Sequence, residues 1–209
     1  MPHILVADDH PMCAAALAMA ARAVDSAMTI DSATTLAEAE GFARAAAHDL
    51  ILLDLMLPDV QGFGGLALMR AIRPAATIAI VSGRDEPTIV AQAVAMGARG
   101  FVSKSSPIDQ MVAAIRTLLA GDPWLPPGME TIAPDDRRID LAMRMGTLSV
   151  AQLRVLRAIA NGHQNKQIAY DLQLAEPTVK SHLSAIFRKL GVTNRTQAVL
   201  AMQAFDTDT

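Results

Sequence analysis

Four short apolar runs along the chain each end in a polar residue. His3-Ile4-Leu5-Val6-Ala7 leads into Asp8-Asp9, and Asp49-Leu50-Ile51-Leu52-Leu53 leads into Asp54. Thr77-Ile78-Ala79-Ile80-Val81 leads into Ser82, and Gly100-Phe101-Val102-Ser103 into Lys104. Unbroken rather than alternating apolar runs read as strands buried on both faces, the pattern of a parallel sheet. Strand patterns at about 3–8, 28–33, 50–54, 77–82 and 100–103 alternate with helical patterns at about 11–24, 34–47, 63–72, 86–97 and 107–120. The alternation predicts an α/β fold, a doubly wound five-stranded parallel sheet with helices on both faces. The alanine-rich helices, around Ala14 to Ala18 and Ala43 to Ala47, combine high helix propensity with small faces that pack close to a sheet.

The pattern breaks at Gly121-Asp122-Pro123-Trp124-Leu125-Pro126-Pro127-Gly128, where prolines and glycines mark a linker. Trp124, the only tryptophan, reads as an anchor within it, and a short helix fits Asp136 to Met145. Beyond it the period is helical. Ser149-Val150-Ala151-Gln152 has the form of a capping box, with Leu148 and Leu153 placed as a hydrophobic staple, so a helix starts there and stops at Asn161-Gly162. Asn165 is placed to cap a second helix, Lys166 to Gln173; a third spans about Pro177 to Leu190 and a fourth Arg195 to Ala204. A small all-α domain of four helices follows, and two short helices joined by a turn form a helix-turn-helix, whose second helix can enter a DNA major groove. The expected division is 1–121, a linker at 122–143, and 144–209.

At 209 residues, 52% of them hydrophobic, the chain suffices for one domain of ordinary size and a small one. The longest apolar run, Met12 to Ala21, is too short for a membrane span, and no charged leader with a cleavage site precedes it. The single cysteine excludes an intramolecular disulfide and fits a reducing cytoplasm. The net charge of −3 is unevenly spread. Residues 1–121 carry 8 basic against 12 acidic side chains, residues 122–146 carry 3 against 5, and residues 147–209 reverse the balance with 7 against 4. A basic C-terminal module suits a polyanionic partner.

In a doubly wound sheet the carboxyl ends of the strands meet in one crevice, which gathers three acids, a hydroxyl and an ammonium. Hard oxygen ligands suit Mg²⁺, and a carboxylate beside a cation and an ammonium can accept a phosphoryl group. His10 and Cys13, with no further His or Cys in sequence reach, make a poor soft-metal site, and Asp9 ahead of His10-Pro11 also fits a helix cap. The arrangement of Asp8-Asp9, Asp54 with Leu57-Pro58 and Gly62, Ser82, and Lys104-Ser105-Ser106-Pro107 resembles the flavodoxin-like receiver domain of bacterial two-component response regulators. The resemblance implies Asp54 as phosphoacceptor, Asp9 as a direct Mg²⁺ ligand, Asp8 acting through water, and the Met56 main-chain carbonyl as a further ligand. It also implies Lys104 as the phosphate-pairing cation, Ser82 as the hydroxyl that moves to the phosphoryl group, and Phe101 as the aromatic that follows it inward.

In the C-terminal part, Asn165-Lys166-Gln167-Ile168-Ala169, Thr178 to Leu183 and Arg188 to Arg195 resemble the LuxR-type DNA-binding domain, and the two halves together resemble the NarL/FixJ subfamily. By that resemblance Lys180, Ser181 and Ser184 face base edges, while Asn165, Lys166, Thr178, Arg188 and Arg195 fall among the DNA contacts, the basic ones and Thr178 at the phosphate backbone. The implied protein is a cytoplasmic bacterial transcriptional regulator and not a conventional enzyme. Its implied partners are a sensor histidine kinase or phosphotransfer protein, double-stranded DNA, a second copy when active, and RNA polymerase, with no membrane. The chain departs from the pattern at Gln152 and Arg154, where acidic residues are usual, and at Ala175, where a capping serine is common; Met56 and Arg84 occupy variable positions. Two alternatives share much of the pattern: a phosphate-independent LuxR-type regulator that uses the receiver as a dimerisation platform, and a Mg²⁺-dependent aspartyl phosphatase, which normally has a second Asp where this chain has Met56.

Overall fold

The computed structural model describes residues 1–129 and 136–203. The expected end of the last helix at Ala204 lies outside the described residues, as does the linker segment 130–135. The N-terminal part runs β1 (His3–Ala7), α1 (Pro11–Val24), β2 (Thr29–Ala33), α2 (Leu36–Ala45), β3 (Leu50–Asp54), a small hairpin β4 (Met56–Leu57) and β5 (Val60–Gln61), α3 (Gly64–Ile72), β6 (Thr77–Ser82), α4 (Pro87–Ala95), β7 (Gly100–Ser103) and α5 (Ile108–Leu119). The five long strands form one parallel sheet in the order β2-β1-β3-β6-β7. The direction of winding reverses between β1 and β3, so the ligand crevice falls at their carboxyl ends, beyond Ala7 and at Asp54.

Alternate residues of each strand serve opposite faces. Ile4, Val6, Leu50, Leu52, Ala79, Val81 and Val102 pack with α1 and α5. Leu5, Ala7, Ile51, Leu53, Ile78, Ile80 and Phe101 pack with α2, α3 and α4. Burial on both faces is why these strands lack polar alternation. Trp124 anchors the linker to the sheet: its carbonyl accepts the Phe101 N–H at 2.8 Å, its own N–H reaches Arg99 O at 3.3 Å, and it forms a parallel bridge with Gly100 on the outer edge of β7.

The C-terminal part comprises α6 (Asp136–Met145), α7 (Val150–Ala160), α8 (Asn165–Asp171), α9 (Glu176–Leu190) and α10 (Arg195–Gln203). The capping box forms, with the Gln152 N–H on Ser149 Oγ at 3.3 Å and the Ser149 N–H on Gln152 Oε1 at 3.0 Å. Leu148 and Leu153 of the staple are both buried. Gly162 takes the left-handed conformation, φ 81°, that ends α7. One capping expectation is corrected: Gln164 is the N-cap of α8, without a side-chain cap, and Asn165 is its first helical residue. The helix begins one residue earlier than its polar pattern suggested, which moves the Asn165 amide away from the first N–H groups.

The two parts are docked. The apolar cluster that fills the α2–α3–α4 face continues through Ala142, Met145, Leu148, Leu153 and Leu156 into the helical part. α3 faces α7, and α4 faces α6, which also packs on α9. Glu40 pairs with Arg154, and Asp59 Oδ2 lies 3.7 Å from Arg157. The cleft between the parts is lined by Leu36, Val60, Gly64 and Leu68 on one side and Leu153, Leu156 and Met202 on the other. A Cβ on Gly64 would lie 3.1 Å from Val60, tighter than an ordinary contact, and at an ordinary 3.7 Å from the tip of Met202, so it is Val60 of the hairpin that the glycine accommodates.

Candidate functional site

Strand ends, helix starts and one loop meet at the crevice. Asp8 and Asp54 are almost fully buried; Asp9 and His10 lie toward solvent. Lys104, one residue past β7, donates to Asp54 Oδ2 at 2.7 Å and to Asp8 Oδ1 at 3.0 Å. The Met56 N–H donates to Asp54 Oδ1 at 3.1 Å, and the His10 N–H to Asp8 Oδ1 at 2.9 Å. Burial pushes the Asp54 carboxyl above the usual range, against the pull of Lys104. Burial alone would lower Lys104, but its two carboxylate partners outweigh that and raise it, so the ammonium is retained.

Three of the predicted acids and Lys104 thus come together. Asp9 does not cap α1; His10 is the N-cap, without a side-chain cap. Ser82, fully buried, accepts the Arg84 N–H on Oγ at 3.1 Å. Phe101 is also fully buried, so the inward movement expected of it has no outward starting point in this structure. His10 was read from sequence as a bystander, yet Nδ1 lies 2.8 Å from Asp9 and 3.4 Å from Asp8. The readable signal was its position directly after the acid pair. Cys13, beside Asp8, has its thiol pushed up to about 12 by burial and by that carboxylate, which leaves it poorly nucleophilic.

The acids have room for a cation. Asp8 Oδ2 is buried without a hydrogen-bond partner among the described residues, an arrangement that is costly unless a cation or a donor answers it, and the buried Asp9 Oδ1 faces His10 Nδ1 at 2.8 Å without hydrogen-bond geometry. Asp8, Asp9, His10 and Asp54 each present a ligand atom within 4.8 Å of the others. A set dominated by carboxylate oxygens suits a hard divalent ion.

At the other end of the molecule α9 exposes Thr178, Lys180, Ser181, Ser184 and Arg188, while Val179, Leu183, Ile186 and Leu190 are buried. The hydroxyls of Ser181 and Ser184 donate to Pro177 O and Lys180 O, both at 3.1 Å, so they are satisfied within their own helix until another acceptor competes. Lys166 on α8 is exposed. Asn165 and Arg195 meet each other instead of solvent: Arg195 donates to Asn165 Oδ1 at 3.4 Å and to His163 O, tying α10 to the loop before α8. At the departing positions, Gln152 Oε1 also takes Lys189 Nζ at 2.8 Å, and Arg154 serves the contact with Glu40.

A parallel sheet with an acid–lysine crevice, followed by a helix-turn-helix with an open second helix, defines a two-part signalling and DNA-binding protein. The model of the response regulator receiver domain matches residues 4–116, and that of the luxR family of bacterial regulatory proteins matches residues 146–202. The glycerol metabolism activator of Pseudomonas putida is 39% identical over 217 residues, covering 99% of this chain and 97% of its own. The probable transcriptional regulatory protein NarL of Mycobacterium tuberculosis is 31% identical over 196 residues, 94% of this chain and 91% of its own. Among solved structures, RcsB dimers bound to DNA superpose with a TM-score of 0.58 over 99% of both chains at 19% identity, a likeness of fold. A LuxR family DNA-binding response regulator from Silicibacter pomeroyi is 29% identical with a TM-score of 0.54, over 61% of this chain and 98% of its own. The chain belongs to the two-component response regulators of the NarL/FixJ type, which are phosphorylation-controlled transcriptional regulators. No helix among the described residues is long and apolar enough to cross a membrane.

Proposed function

We propose that Asp54 is the residue through which this regulator is switched. The supporting observation is the Asp54–Lys104 contact beside Asp8 Oδ2, a buried carboxylate oxygen without a hydrogen-bond partner among the described residues. Asp8, Asp9, Asp54 and the Met56 carbonyl would hold Mg²⁺, which when bound supplies positive charge for the phosphoryl oxygens. The rest falls to the chain's own groups. Asp54 offers Oδ1, which accepts only a backbone N–H, as the attacking oxygen. Lys104 keeps its proton and can exchange its Asp54 contact for a phosphoryl oxygen. Ser82 can leave the Arg84 N–H for the same group, and with Phe101 already inside, the change is one of repacking rather than of burial. The donor is a histidine kinase or a phosphotransfer protein.

In this reading residues 1–121 receive the phosphoryl group, 122–143 connect, and 144–209 bind DNA. Lys180, Ser181 and Ser184 read bases, and Lys166, Thr178 and Arg188 hold the backbone. Asn165 and Arg195 first position α8 and α10, because their side chains are bound to each other. The active form is a dimer on a two-fold operator. The name of the Pseudomonas putida relative, a glycerol metabolism activator, makes activation the sense in which to look for regulation, with RNA polymerase as a further partner we propose.

The test is incubation with a small-molecule phosphodonor and Mg²⁺, followed by mass measurement and by DNA selection. One phosphate should be added, none in Asp54→Asn, and the selected sites should be enriched more strongly with phosphate present. Undiminished labelling of Asp54→Asn sinks the assignment. Labelling with no change in DNA binding or self-association would favour the phosphate-independent regulator.

A further inference from the structure

Toward the amino-terminal ends of β1 and β3, away from Asp54, three side chains that the phosphoacceptor site does not use converge on one point. His3 is the first residue of β1, Asp31 lies in the middle of the edge strand β2, and His48 sits in the loop just before β3. Both imidazoles present Nε2 to the same carboxylate oxygen: His3 Nε2 and His48 Nε2 each lie 2.9 Å from Asp31 Oδ2. The rings are 4.2 Å apart at their centroids and tilted by 44°. The His3 backbone is fixed by its N–H on Asp49 Oδ2 at 2.8 Å, which sets where its ring starts.

One carboxylate oxygen does not satisfy this group. Only His48 meets Asp31 with hydrogen-bond geometry, and His3 Nε2, which faces the same carboxylate oxygen, is buried without a hydrogen-bond partner among the described residues. The His48 side chain is fully buried, so its Nε2 is held in place toward Asp31, and the buried, unanswered His3 Nε2 beside it is costly unless a cation or a donor meets it. His3 and Asp31 are each about a quarter exposed, which gives the cluster an opening to solvent. One ligand atom from each residue lies within 4.8 Å of the other two.

We propose that His3, Asp31 and His48 form a binding site for a single borderline divalent transition-metal ion, with Zn²⁺ as the reference ion. Two imidazole nitrogens and one carboxylate oxygen are a donor set that Zn²⁺ accepts and that Mg²⁺, which seeks oxygens, does not favour. Three protein ligands with an open side leave a fourth position for water or an outside ligand. The ion would join the amino-terminal ends of β1 and β3 to the edge strand β2. By strand rise, His3 lies five residues and Leu5, the register partner of Asp31, three residues from Asp8, which puts roughly 10–16 Å between this site and the acid crevice, so the two should load independently.

The experiment uses untagged full-length protein, stripped with a chelator and held in saturating Mg²⁺, titrated with Zn²⁺ by calorimetry and by equilibrium dialysis. One equivalent of Zn²⁺ should bind. His3→Ala and Asp31→Asn, both at partly exposed side chains, should weaken binding at least tenfold, whereas Asp9→Asn, His10→Ala and Asp54→Asn should not change it. His48→Gln should behave like the first pair; if that buried change prevents folding, the other two variants carry the test. Co²⁺ provides a second readout, because a nitrogen-bearing site of low coordination number absorbs visible light far more strongly than an octahedral oxygen site. Zn²⁺ binding that survives His3→Ala but is lost in Asp9→Asn would overturn the proposal by placing the ion in the acid crevice. So would the absence of any binding at 100-fold excess of Zn²⁺.

Discussion

Reversing the charge of Arg154 should loosen the docking of the DNA-binding helices on the receiver. Glu40 is 15% exposed and Arg154 46%; the second pair, Asp59 and Arg157, is 28% and 32% exposed. Pairs this open to water contribute about 0.2–1 kcal/mol each. Arg154→Ala should therefore cost about 0.5–1 kcal/mol, and Arg154→Glu, which turns attraction into repulsion, about 1–2 kcal/mol. The latter corresponds to a shift of roughly 5- to 30-fold toward the undocked form. Trypsin offers the assay, because Arg137 and Arg138 lie at the start of α6, which packs on α4. When opening is faster than cleavage, the cleavage rate follows the open population and should rise by the same factor. Higher salt should narrow the gap between wild type and variant. Glu40→Arg combined with Arg154→Glu should restore much of the protection, measuring the coupling directly. If Arg154→Glu at low salt leaves the cleavage rate within twofold of wild type, the ion pairs are incidental and the docking rests on the apolar cleft alone.

Ala175→Ser should stabilise the helical part by about 0.5–1 kcal/mol, the lower part of the capping range, read as a higher midpoint in urea unfolding followed by helix signal. Ala175 is the uncapped N-cap of α9, but Pro177 has no N–H and the Thr178 N–H already reaches Ala175 O at 2.9 Å, so fewer donors remain to be answered. Gly64→Val should crowd Val60, the hairpin residue that lines the cleft, and so disturb the docked face at a cost of about 1–3 kcal/mol for overpacking, with faster tryptic cleavage as the check. Cys13 should resist alkylation at pH 8 in the folded protein and react more than tenfold faster in urea. Its folded value near 12 lies above the unfolded one, so the folded form keeps the proton that the unfolded form loses; stability from this group is intact below about pH 8.5 and falls as the pH climbs toward 12.

The strand ends were legible because burial on both faces leaves a signature within five residues, and because a carboxylate after such a run has only the sheet's edge to occupy. Asp8, Asp9, Asp54 and Lys104 meet as that logic requires. The capping box was legible for a similar reason: its partners lie three residues apart. What escaped was encoded in pairs far apart along the chain. Glu40 and Arg154 are ordinary surface residues of two amphipathic helices, 114 positions apart, and nothing near either names the other. The His3, Asp31 and His48 cluster needs three segments and a register, Leu5 opposite Asp31, that periodicity leaves open. Asn165 was misplaced by one residue at a helix start, where the pattern of apolar positions is least informative.

One hairpin lies between Asp54 and the helical part. Asp54 ends β3, and β4–β5 begins two residues later. Within that hairpin Asp59 accepts the Leu36 and Ala37 N–H groups at 2.7 and 3.0 Å, thereby holding the start of α2, and also faces Arg157 of α7. Val60, next in sequence, lines the cleft against which α10 presents Met202. A change in charge or position at Asp54 that shifts this hairpin therefore acts on an ion pair, a helix start and the apolar cleft together. Lys180, Ser181 and Ser184 on α9 are exposed while the parts are docked, so on the proposed reading docking does not work by covering them. On the proposed reading, control lies in where the receiver holds the helical part, since one operator can be gripped by two copies only if both modules reach their half-sites at the right spacing. On this argument the undocking variants should bind a single half-site with wild-type affinity and differ from wild type on the full two-fold site, a separation that simple masking of the recognition helix does not produce.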